Sequence, residues 1–220
     1  MPTTMHLDFT DAWLHYRFGQ LRRTIDLSER LLQQEASELV TWVEAEASKL
    51  PQEERQEFYA SISDEHYELR EVVPNVLRRA LFIVCYTEIE AYLNTLCRLP
   101  RNSKGPGVSL DDLVGRGIER AKRYLAKVLR VDFPSKSPDW QELTNYNKLR
   151  NVLAHTEGRL SAAQRSKHIG CYVAKHQYLD LDSLGYIVIH KGFCEEVIDT
   201  ALRFFKQLPA DLRRRAPGGG

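Results

Sequence analysis

From Ala80 to Tyr86 the sequence reads ALFIVCY, a run that is apolar on almost every side of a helix. The surrounding segment, VVPNVLRRALFIVCYTEIEAYLNTLCRLP from Val72 to Pro100, has helical periodicity throughout. A helix that is apolar all round has to be enclosed by other elements. This run is far too short to span a bilayer, which needs about 20 apolar residues. The constraint is therefore a central buried helix with the rest of the chain packed around it. Pro74 can occupy its first turn, and Pro100 marks its stop.

The other segments supply mostly helices. From about Asp8 to Leu50, Leu14, Phe18, Leu21, Ile25, Ser28, Leu32, Glu35, Leu39 and Trp42 alternate steps of four and three. This heptad-like seam predicts one long helix, packed either on the rest of the domain or on a coiled-coil partner. Pro51 ends it or opens the next helix, and Gln52 to Ile62 reads as a short polar helix. After the loop RNSKGPGVS, Ser109 is a good N-cap for a helix to about Leu129, with Asp111 and Asp112 in its first turn. Ser137 or Asp139 can cap the next helix, Asp139 to Glu157, which Gly158 ends in a left-handed cap. YLDLDSLGYIVIH, Tyr178 to His190, reads as a β-hairpin. A last helix over Gly192–Leu208 carries Phe193, Val197, Ala201, Phe204 and Leu208 on one side. The predicted fold is mainly α, an antiparallel helical bundle with a long N-terminal helix and a small β-hairpin near the C-terminus. Residues 1–71 are expected to form a helical extension, 72–208 the main domain and 209–220 a frayed tail.

A composition of 43% hydrophobic and 28% charged residues is that of a globular chain. The net charge of +1 announces no global attraction to nucleic acid or anionic membrane, although a local basic patch suffices for a transient RNA contact. RGIERAKRYLAKVLR, Arg116 to Arg130, offers such basic residues beside Tyr124, or else an ordinary solvated helix. Cys85, Cys97, Cys171 and Cys194 form no C-x-x-C pair and have no zinc-finger spacing to histidine. They read as small hydrophobes in a reducing compartment. MPTTMHLDFTDAW lacks the basic-then-apolar pattern of a leader. A soluble, cytoplasmic protein is expected, without a membrane partner. The seven histidines are scattered, and no glycine-rich phosphate loop occurs, so no metal or other cofactor is expected.

The segment KLRNVLAHTEG, Lys148 to Gly158, carries the sharpest signal. At about 100° per residue, Leu143, Tyr146, Leu149 and Leu153 share one arc, the face turned to the core. Asn151 and His155 lie about 40° apart on nearly the opposite side, with Arg150 at the edge, roughly 140° from His155. These residues are either a solvated helix face or a site. His155 stands in the last turn, where the helix dipole favours a protonated imidazole. Glu90 lies in line with Tyr86, Leu93 and Cys97 on the apolar helix. It either reaches water at a helix edge or serves as a charge partner that orients Arg150.

LRNVLAH, Leu149 to His155, resembles the R-N-x-x-x-H signature of the HEPN superfamily, and LRRALFIVCYTEIEAYLNTLC, Leu77 to Cys97, resembles its first core helix. The resemblance spans about Val72 to Leu160. It departs from the common pattern after the histidine, where this chain reads HTEG. The resemblance implies a HEPN-like bundle and a metal-independent ribonuclease with Arg150, Asn151 and His155 as catalytic residues. It also implies a homodimer with a shared cleft, an RNA substrate cut to 2′,3′-cyclic phosphate and 5′-hydroxyl ends, and a toxin or anti-phage defence role with an antitoxin or regulatory partner. In such chemistry His155 would be acid, base or phosphate ligand, Arg150 would hold the phosphate, and Asn151 would orient the histidine or bind a phosphate oxygen. The reading from another class is a catalytically silent helical module that binds a protein or RNA.

Overall fold

A computed structural model describes residues 9–98, 107–209 and 212, and it is mainly helical with one two-stranded antiparallel sheet. Pro100, most of the loop before Ser109 and the expected C-terminal tail apart from Pro209 and Leu212 lie outside the described residues; Leu212 is not frayed but buried in the core. The long helix α1 covers Phe9–Lys49, followed by the short helices α2 (Arg55–Ser61) and α3 (Ser63–Tyr67). Next comes α4 (Val73–Arg98), then α5 (Gly117–Arg123) and α6 (Pro138–His155). The chain closes with α7 (Ala162–Arg165), α8 (His168–Val173), strands β1 (Leu179–Leu181) and β2 (Ile187–Ile189), and α9 (Phe193–Gln207).

Helix α4 is the hub and packs against α1, α5, α6 and α9. Cross-contacts give the directions. Arg78 meets Glu29 while Arg17 meets Glu88, so α1 runs antiparallel to α4. Arg79 meets Glu157 while Tyr86 meets Asn147, so α6 is antiparallel too. Cys194 lies by Arg78 and Phe205 by Tyr92, so α9 runs parallel to α4. The four long helices thus alternate up and down. Phe82, Tyr86, Ile89, Tyr92, Leu93 and Leu96 of α4 are fully enclosed, each worth about 1.5–3 kcal/mol of hydrophobic burial. Their i, i+3, i+4 spacing makes a wide stripe that α1, α6 and α9 cover.

Enclosure stops short of the whole circumference. Val76 is 58% and Val84 45% exposed, and Ala80 and Ala91 are exposed as well. At 100° per residue these four span an arc of about 80°, adjoining the edge of Arg79, Tyr86 and Glu90 that faces α6. The run is apolar all round, yet one side of it is left open.

Three local departures have physical causes. Pro74 stands in the first turn of α4 as expected, but the helical path does not start there: it continues from α3 through a π-helical turn, Glu68–Val72, into α4. Val73 donates its N–H to Glu68 O, five residues back, and Pro74 has no N–H for Arg70, so the wider turn absorbs the missing bond. The expected helix from Ser109 is broken. Ser109 and Asp112 form a capping box on a single 3-10 turn, and the chain then kinks at Gly115 (φ 110°) and at Gly117 (φ 62°), the residue that opens α5. The buried stripe of α1 runs through Leu14, Phe18, Ile25, Glu29, Val43 and Ala47, so Glu35 and Trp42 of the heptad seam face solvent. A straight helix repeats every 3.6 residues, and a 3.5-residue seam slips off its buried face after several turns. Leu14, Phe18 and Ile25 share the core of α4 and α9, whereas the distal half of α1 packs on α2 and on the turn before α4.

The hairpin pairs Leu179 with Ile189 and Leu181 with Ile187. The free edge of β2 is closed by Asn75, whose side chain accepts from Ile189 N at 2.9 Å, and by Gly158 O, which accepts from Ile187 N at 3.0 Å. The hairpin therefore anchors the end of α6.

Candidate functional site

The local sequence positions α6 firmly. Ser137 Oγ accepts from Trp140 N, Pro138 stands at the first helical position, and Leu143, Tyr146, Leu149 and Leu153 are buried. Its end is equally fixed. Gly158 N donates to Val152 O at 3.3 Å, Glu157 and Gly158 take φ of 52° and 84°, and Arg79 donates to Glu157 O.

Arg150 leans from the edge of α6 onto α4. Its Nη2 donates to Glu90 Oε2 at 3.1 Å, and its guanidinium carbon lies 5.0 Å from the Tyr86 ring centroid. Both charged side chains are 27% exposed. The Tyr86 hydroxyl donates to Asn147 Oδ1 at 2.9 Å, and burial, then the Glu90 charge, push its pKa far above the ordinary phenol value. Gly117 completes the surroundings: a Cβ there would stand 3.7 Å from Glu90 Oε2. Glu90, Arg150, Tyr86 and Asn147 thus form one connected group between α4 and α6.

Asn151 and His155 lie outside that group. Both are exposed, and no hydrogen bond or ion pair among the described residues engages either side chain. His155 is five residues beyond Arg150, a rise of about 7.5 Å, and faces about 140° away. Within one chain the structure brings Arg150 to Glu90 but does not bring His155 to Arg150. The open α4 strip of Val76, Ala80, Val84 and Ala91 borders the side on which Asn151 stands.

A second polar cluster was invisible to sequence spacing. Glu142 of α6, His176 after α8 and Glu196 of α9 bring ligand-type atoms within 4.8 Å of one another. His176 Nε2 is 2.9 Å from Glu196 Oε1, and His176 Nδ1 accepts from Tyr178 N at 3.2 Å. The ring therefore carries its proton on Nε2 and donates it to Glu196. A metal ion on Nε2 would need the proton on Nδ1, pointed at the Tyr178 N–H. Tyr172 donates to Glu142, and Gln177 Nε2 donates to Glu196 Oε2 at 3.2 Å. The donor set fits a hydrogen-bonded brace between α6, α8 and α9 rather than a cation site.

Charge is segregated along the chain, which the net value conceals. Residues 35–72 hold eleven acidic and three basic side chains, and the remainder holds 19 acidic and 28 basic. No helix among the described residues is long and apolar enough to cross a membrane. Comparison with models of protein families, with characterised proteins and with solved structures gives no match.

Proposed function

We propose that the chain is a metal-independent endoribonuclease of HEPN type, a toxin or defence effector of the cytoplasm, working as a homodimer with a shared cleft. The observation that carries this reading is the division of labour on α6. Arg150 is held part-buried against Glu90 and Tyr86, while Asn151 and His155 stand free on the exposed side. A solvated helix face does not call for an oriented guanidinium beside it. The basic excess outside residues 35–72 suits an RNA backbone.

The mechanism needs no cofactor. The 2′-hydroxyl oxygen attacks the adjacent phosphorus, the bond from phosphorus to the 5′-oxygen breaks, and the products are a 2′,3′-cyclic phosphate and a 5′-hydroxyl. One proton leaves the 2′-hydroxyl and one reaches the 5′-oxygen. His155 is the acid, the base or a phosphate ligand, Arg150 stabilises charge on the phosphate with the N–H donors that Glu90 leaves free, and Asn151 binds a phosphate oxygen or orients the ring. Glu90 positions Arg150. The separation of Arg150 from His155 favours a two-fold arrangement in which the arginine of one copy serves the histidine of the other. The open apolar strip on α4 is the surface available for that contact.

The test is cleavage of RNA by purified chain in excess EDTA. Cyclic-phosphate ends are expected, and His155→Ala abolishes them. Equal cutting by both proteins would place the activity elsewhere. Intact RNA with both would favour the silent binding module, a reading supported by the contact of Arg150 with Glu90 and Tyr86, which also serves the fold alone.

A further inference from the structure

The distal half of α1, with α2, α3 and the π-helical turn, forms an arm beyond the core shared with α9. Between its two sides lies a groove of about 370 Å³ floored by Val40, Val43, Tyr59 and Ile62, with Glu44 and His66 alongside. Val40 also lines the next depression, about 450 Å³, which contains Ala36 and Arg70. That one shares Gln33, Ala36 and Arg70 with a third, about 220 Å³, bordered by Glu29, Arg78 and Lys191. The shared residues make one cleft along α1 from Glu29 to Glu44, roughly 22 Å at 1.5 Å per residue, or four helical turns.

The cleft is polarised. At one end Glu44 has no ion pair among the described residues and belongs to the strongly acidic stretch of residues 35–72. At the other end Arg78 is neutralised by Glu29 at 2.6 Å, while Arg70 and Lys191 have no ion pair among the described residues. Nearby aromatic surface is open: Trp42 is 49% and Tyr59 47% exposed. RNA is repelled by the acidic arm.

We infer that this cleft docks an amphipathic helix of a partner protein, laid along α1 with basic residues over Glu44 and acidic residues over Arg70 and Lys191. The apolar floor accepts a side-chain stripe at i, i+3, i+4 and i+7. A helix with acidic residues in its first turn and basic ones in its last suits its own macrodipole, so the required charge order is one that stable helices already have. Such a helix runs parallel to α1. This docking is independent of the nuclease reading, and its test uses no RNA.

The probe is a fluorescent 16-residue peptide with a leucine stripe, Glu in its first turn and Lys in its last two, titrated with the full chain. The control peptide has the same composition with the leucines moved off the stripe. Saturable binding is expected for the probe alone. Glu44→Lys and Ile62→Ser weaken it at least about tenfold, whereas Glu38→Lys, the same charge change on the arm but outside the cleft, shifts it less than about twofold. Circular dichroism checks that each variant is folded. Absence of saturable binding overturns the inference, as does equal binding of the control peptide. Equal loss with Glu38→Lys and Glu44→Lys would show general charge attraction and also overturn it. A changed sedimentation of the unbound chain on Ile62→Ser would assign the cleft to contacts between copies instead.

Discussion

Arg150 Nη2 lies 3.1 Å from Glu90 Oε2, joining α4 to α6 at the point where the two helices also share Tyr86 and Asn147. Removing the two partners is not symmetric. Arg150→Ala leaves a part-buried carboxylate beside an aromatic ring, at about 1–2 kcal/mol, whereas Glu90→Gln keeps an acceptor for the guanidinium and loses less than about 1 kcal/mol. Urea denaturation at neutral pH reads the order, and an Arg150→Ala variant as stable as the parent would contradict it.

Two glycines should respond with opposite sign to alanine. Gly158 has φ 84°, and a Cβ there would stand 2.7 Å from the Arg79 guanidinium and 3.0 Å from Leu153. Gly158→Ala should lower stability by about 1–3 kcal/mol and disturb the end of α6 beside His155. Gly19 lies within α1 with nothing within 4 Å of its added Cβ, so Gly19→Ala should stabilise by up to about 1 kcal/mol. Paired denaturation curves decide both signs.

Much of this fold is legible from local pattern. The apolar run identifies α4 as the hub, Ser137 and Gly158 bracket α6, and the hairpin follows from two alternating runs around Asp182–Gly185. The face of Asn151 and His155 follows from helical angle alone, and Glu90 stands out because it interrupts an apolar stripe. What local pattern misses depends on accumulated geometry or long-range contact. The α1 seam fails at Glu35 and Trp42 because a small angular error per turn accumulates over 41 residues. The break at Gly115 and Gly117 needs two left-handed residues that an otherwise helical stretch conceals. The brace of Glu142, His176 and Glu196 joins three elements with no shared spacing.

Thiol chemistry should separate one cysteine from three. Cys171 is exposed, whereas Cys85, Cys97 and Cys194 are buried. Burial first, and the Glu195 charge second, push the Cys85 thiol up to about 12, and burial raises Cys194 as well. Iodoacetamide at pH 8 should label one site per native chain, identified by mass spectrometry as Cys171. Labelling of Cys85 at a comparable rate would contradict the enclosed core.

The same two thiols predict alkaline destabilisation. Their folded pKa values are raised, so their contribution is fully present below the unfolded value near 9 and is lost as pH rises above it, up to about 12 for Cys85. The unfolded chain ionises there while the folded one does not, and stability should fall by about 1.4 kcal/mol per pH unit for each thiol. Denaturation at pH 8, 9.5 and 10.5 measures the slope, and Cys85→Ala should make it shallower.

A composite cleft requires Arg150 of one copy and His155 of another to serve one phosphate. The most direct measurement mixes two inactive variants, Arg150→Ala and His155→Ala, after joint refolding, and assays RNA cleavage in EDTA. Half of the random dimers are mixed, and each mixed dimer holds one intact site, so activity should return to roughly a quarter of the parent level. If each variant alone is inactive and the mixture stays inactive while the parent cuts, the two residues do not complete a site across two copies, and the composite cleft is contradicted.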